Sequence, residues 1–93
     1  MTLTCPLCSE EYLHHGAVTV WNRAEDAEVG RLTTVSGDVL IDAQNATMEG
    51  CPSRRRDALS IEFRCEHCHD KNDKSLHLDV IQHKGNTFLQ WRK

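Results

Sequence analysis

Ninety-three residues, 39% of them apolar and with two Phe, two Trp and one Tyr as the only aromatics, make one domain spanning 1–93 with a modest core. No run approaches the roughly 18 apolar residues that cross a bilayer as a helix, and no basic segment followed by an apolar run marks a secretory leader. A net charge of −3 excludes the strong overall positive charge of many nucleic-acid binders.

The chain opens on Cys5-Pro6-Leu7-Cys8, two thiols three residues apart on a tight turn. Pro6 fixes φ in favour of that turn, and Ser9 stands where a glycine is more usual after the second cysteine. Ala17 to Trp21 is β-branched and aromatic and reads as a strand. Asn22 to Ala27 is a polar, acidic loop, and 28–35 reads as the return strand, with Val29, Thr33 and Val35 on one side and Leu32 on the other. Ser36-Gly37-Asp38 is a hairpin signal, followed by a short strand at Val39-Leu40-Ile41.

Residues 42–58 lack a clean period and read as an irregular loop, with room for one helical turn. Leu59, Ile61 and Phe63 then alternate with Ser60, Glu62 and Arg64 and run straight into Cys65. A charged loop is expected over 69–75, a strand from Leu76 to Gln82, a turn at Lys84-Gly85-Asn86 and a last strand from Thr87 to Trp91. The fold class expected is mainly β, a small antiparallel sheet of about six strands with little helix.

Cys65-Glu66-His67-Cys68 repeats the spacing of the first pair. Two such pairs supply four thiolates, the set that closes a tetrahedral zinc site and leaves no position for water, so the expected metal is one structural zinc on Cys5, Cys8, Cys65 and Cys68. Three rivals compete for the same residues. Cys65 to His69 spells a c-type haem attachment pattern, which needs export and leaves the first pair unexplained. A redox dithiol at Cys5 and Cys8 normally follows a strand, and none precedes it. His67 or His69 can replace one thiolate. Five cysteines, an odd number, fit a disulfide framework poorly, and reduced thiols point to a cytoplasmic setting.

Cys51 is left over and reads as a small, partly buried turn residue. His14 and His15, adjacent on an extended segment, point to opposite faces and do not easily share a metal. Positive charge is concentrated in the second half, where Arg54-Arg55-Arg56 forms the densest run. Guanidinium forks suit phosphate, so Arg54, Arg55, Arg56 and Lys84 are candidate nucleic-acid contacts, with Arg64, Arg92 and Lys93 as outer members and Phe88 or Trp91 as a stacking surface. No Gly-rich phosphate loop, nucleophile elbow or carboxylate pair at motif spacing is present.

On its two cysteine knuckles and the strand entering the second, the chain resembles zinc-ribbon-type domains. The stretch from Gln82 to Trp91, with Arg54-Arg55-Arg56-Asp57 upstream, is similar to small bacterial and phage-borne zinc-ribbon-like proteins of unassigned function. That resemblance implies a fold and a zinc on the four cysteines, and brings no activity. The expected function is a macromolecular binding module for nucleic acid or protein, without a membrane or small-molecule partner. The alternative is a small metal-dependent enzyme or a redox-active dithiol protein.

Overall fold

A computed structural model describes residues 2–67 and 76–92. Six strands form one antiparallel sheet: β1 (Leu13–Asn22), β2 (Val29–Ser36), β3 (Val39–Thr47), β4 (Ala58–Cys65), β5 (Leu76–His83) and β6 (Asn86–Arg92). Their spatial order is β3-β2-β1-β4-β5-β6. Two three-stranded meanders are thus joined where β1 pairs with β4, and β3 and β6 are left as edges.

The hairpin turns follow their residues. Gly37 takes a φ of 58°, the positive value that the first central position of a two-residue turn demands, while Lys84 and Gly85 are both left-handed, at 50° and 80°. The early strands run longer than expected because bulges break their alternation. β1 slips between His15 and Val18, and β3 continues from Ile41 to Thr47 opposite a slip between Gly30 and Leu32. Asn45, at φ 54°, marks the kink that hides the second half of β3 from a period-2 reading. Residues 48–57 form an irregular connection without a helical turn.

Opposed residues in an antiparallel ladder share a face. One row runs Leu40, Val35, Val18, Ile61, Leu78 and Trp91 across all six strands. The next row on that face includes Thr33, Val20, Leu59, Val80 and Leu89. This apolar face carries one charged pair on its strands, Arg31 and Asp42, in a two-pronged ion pair at 2.8 Å. The opposite face holds Thr19, Ser60, Asp79 and Gln90 in one row, and Glu62, His77 and Arg92 in another.

Burial does not follow that division. Trp21, Ala58, Ser60 and Asp79, all on the polar face, are buried, whereas Leu40 and Leu89 on the apolar face are 67% and 68% exposed. The connection 48–57 accounts for part of this, since it returns on the polar side and places Gly50 beside Trp21 and Ser60. The apolar face is packed over at one end, where the first knuckle brings Cys5 and Cys8 against Leu13, Phe63, Cys65, Leu76 and Trp91. Phe63 and Trp91 meet edge-on there, with ring centroids 5.7 Å apart.

Candidate metal centre and groove

The clean alternation of β4 delivers Cys65 to the knuckle end of the sheet, pointing to the apolar face with Phe63. Leu13 lies opposite Cys65 in β1, so the segment just before β1 is held against the same end. The Glu66 amide donates to the Tyr12 carbonyl at 3.0 Å and fastens the chain leaving Cys65 to the chain leaving the first knuckle.

The first knuckle closes on itself. The Ser9 amide donates to the Cys5 carbonyl at 2.9 Å, and the Cys5 amide donates to the Glu10 carbonyl at 2.8 Å. Ser9 adopts a φ of 66°, so the chain takes the left-handed geometry that glycine favours even though a serine occupies the position. Inside the turn the Leu7 amide points at Cys5 Sγ, 3.4 Å away.

Cys5, Cys8 and Cys65 bring their sulfurs within 4.8 Å of one another, with Cys8 and Cys65 3.6 Å apart. A disulfide requires about 2.05 Å. Four thiolates at about 2.3 Å from a central zinc stand about 3.8 Å from each other, so this spacing fits one edge of such a tetrahedron. Cys5 and Cys65 are buried and Cys8 is half-buried, which fits a site inside the fold. Burial pushes the Cys5 thiol up, but the amides of Leu7 and Cys8 and the thiols of Cys65 and Cys8 outweigh it and hold Cys5 below the ordinary thiol range. The three cysteines can therefore hold a metal ion. Cys68 and His69 lie outside the described residues. His67 is described and does not join the cluster.

Cys51 lies away from this centre. Burial raises its thiol pKa, as expected for a packed cysteine that is not activated. His14 is exposed and meets Glu66 at 2.8 Å across the ladder ends.

The arginine run sits at the opposite end of the sheet, where the charge asymmetry of the sequence is largely cancelled. Arg55 grips Asp26 with two hydrogen bonds of 2.5 and 2.9 Å, and Arg56 meets Glu25 at 2.8 Å. Arg23 ties the two loops together by donating to the carbonyls of Arg56, Ala27 and Ser53, and its amide donates to Asp57. Arg54 is exposed and has no carboxylate partner among the described residues.

Arg54 and Arg55 line a concavity of about 540 Å³ together with Pro52, Ile81, His83 and Phe88. Phe88 is half-exposed there, tilted against the His83 ring at a centroid distance of 6.4 Å. Lys84 follows His83 in the adjoining turn. The other candidates lie elsewhere. Arg56 lines a separate cleft with Val20 and Leu59, Arg92 is bound to Asp79, and Trp91 belongs to the metal-side core. Lys93 is outside the described residues. Sequence reading did not anticipate His83, since only the observed register puts it beside Phe88 and the arginine loop.

No protein-family model matches the chain, and no curated protein or solved structure matches it either.

Proposed function

We propose that the chain is a zinc-stapled β-domain that binds a macromolecule, single-stranded nucleic acid first, and catalyses nothing itself. Zinc is the metal that suits an all-thiolate set, and Cys68 is the fourth ligand the sequence offers beside Cys5, Cys8 and Cys65. A closed thiolate site holds two distant segments together and has no open position for a reacting group. The cytoplasm, where thiols stay reduced, is the setting such a site requires.

The observation that carries the binding reading is the groove where Arg54, which has no carboxylate partner among the described residues, meets the exposed ring of Phe88. Cationic forks for phosphate beside an aromatic surface for a base are the two elements single-strand binders combine. Fluorescence anisotropy with single- and double-stranded oligonucleotides across a salt series tests it. Binding should favour the single strand and weaken with salt, and Arg54→Ala should reduce the salt slope by about 0.7. Phe88→Ala should cost about 1–3 kcal/mol. Absence of binding at low salt, or binding indifferent to both substitutions, defeats the nucleic-acid reading. A protein partner is the second reading, favoured by the ion pairs that already neutralise Arg55 and Arg56.

A further inference from the structure

We propose that the apolar face of the sheet is the contact between two copies of this chain, packed face to face about a two-fold axis. The protomer is thin and over-exposed for its mass. Its extents are 39 × 31 × 22 Å and its radius of gyration is 14.3 Å, against about 12 Å for a compact chain of this length. Its accessible surface is 6582 Å², whereas a compact monomer of 10.6 kDa exposes about 5,500 Å². The excess, on the order of 1,000 Å², is close to the roughly 800 Å² that each partner contributes to a stable interface.

Part of that excess lies on the apolar face, where Leu40 and Leu89 are exposed toward its two edges and the half-buried Val18, Ile61 and Leu78 form the row between those edges. Uncovered faces of this kind are rare on stable monomers. A second copy suits it on two grounds. The interior of a two-sheet sandwich is built from two apolar faces about 10 Å apart, and the described residues of this chain supply one such face and no second layer. The face is also electrically self-complementary. Its one strand-borne ion pair, Arg31 with Asp42, is neutralised within the protomer. The face-sharing positions of β4, β5 and β6 bear no charge, so two identical faces meet without opposed like charges.

The dimer does not rest on the nucleic-acid reading: Phe88 lies on the opposite face from Leu89, and although Leu89 also borders the groove, Leu40 at the other edge of the face does not, so Leu40→Glu tests the dimer alone. Sedimentation velocity of the metal-loaded chain at micromolar concentrations provides the test. The expected mass is twice 10.6 kDa. Leu40→Glu and Leu89→Glu place charges where the protomer already exposes the side chain, so each should reduce the mass to one chain with the β circular-dichroism spectrum retained. Val39→Glu, at a position also more than half exposed but on the other face, should leave the dimer intact. Hydroxyl-radical labelling of the wild type adds a readout that needs no variant: Leu89 and Leu40 should be protected when concentrated and labelled on dilution. A wild type of one-chain mass throughout, labelling that ignores concentration, or a dimer dissolved by Val39→Glu and untouched by the other two substitutions would overturn the proposal.

Discussion

Asp79 is fully buried, and its two carboxylate oxygens are held by the guanidinium of Arg92, 13 residues along, at 3.0 and 3.1 Å. The same guanidinium reaches Ser60 Oγ at 3.1 Å, so one half-exposed side chain satisfies the polar centre of the sheet across β4, β5 and β6. Gln90 adds a further donor at 3.3 Å. Without Arg92, a carboxylate would lie in the interior with one amide for company. Arg92→Ala should therefore destabilise the domain by about 2–3 kcal/mol, at or below the low end for a broken buried pair because the guanidinium is half in water. Asp79→Asn in the Arg92→Ala background should recover part of that loss. Urea midpoints of the three proteins check both statements, and equal midpoints for wild type and Arg92→Ala would contradict them.

The metal centre predicts a second outcome. Its three described thiols come from segments almost sixty residues apart, so a metal held by all three would cross-link the first knuckle to the sheet end. Binding there counts directly toward folding, on the order of 10 kcal/mol for a structural zinc. Purified protein should contain about one metal ion per chain, and a strong chelator should abolish the cooperative unfolding transition. Cys65→Ser should do the same without chelator, since Cys65 is also buried in the packed cluster. A wild type stripped of metal that still melts at the same temperature would rule out a stapling role.

How much of this was legible follows from what each residue's environment exposes. The strand reaching Cys65 was readable because Leu59, Ile61 and Phe63 share one face without a bulge. β3 was cut short because both of its faces are exposed at the sheet edge and Asn45 interrupts the period. The pairing of β1 with β4 was not readable, because turn residues specify neighbours in sequence and this contact spans the whole β2–β3 hairpin. For the same reason the arginine run read as a basic patch. Only the meeting of two loops at one end of the sheet shows Glu25 and Asp26 already answering Arg55 and Arg56. The convergence of Cys5, Cys8 and Cys65 was expected from spacing alone, but the packing of Leu13, Leu76 and Trp91 over them was not.

Acid should weaken two surface clasps. Hydrogen bonding from Arg55 holds the Asp26 carboxyl below its usual 3.8, and Arg31 with Thr33 does the same for Asp42. A carboxyl depressed in the folded state contributes stability above its unfolded pKa and loses it as pH falls through the folded value. The effect should therefore appear only below about pH 4, and it should be small because both groups are exposed. Carbon-detected NMR titration should place both carboxyls below an unstructured aspartate. Ordinary titration at either position would remove the corresponding clasp.

Gly30 predicts a local and severe effect. It lies where β2 begins its pairing with β1, and a Cβ there would collide with the Asn22 carbonyl oxygen and crowd Arg23. Backbone cannot swing aside as a flexible side chain can, so the strand entry or the Arg23 anchor must move. Gly30→Ala should cost about 1–3 kcal/mol. Loss of amide protection in hydrogen exchange should concentrate around Asn22 to Ala27. An Ala variant as stable as the wild type would show that this approach is looser than described.

Ser9 gives the opposite prediction. Its φ of 66° costs a serine on the order of 1 kcal/mol that a glycine does not incur. The strain persists because the Ser9 amide and the Cys5 amide are both committed to closing the knuckle. Ser9→Gly should relieve it, offset in part by the greater freedom of glycine in the unfolded chain. The net expectation is a melting temperature a few degrees higher in the metal-loaded protein, with unchanged metal stoichiometry. Ser9→Val should lower it, since β-branching penalises the left-handed region further. Calorimetry on the three metal-loaded proteins should therefore order them Gly above Ser above Val, and a reversed order would mean that the turn around Cys8 is not left-handed at Ser9.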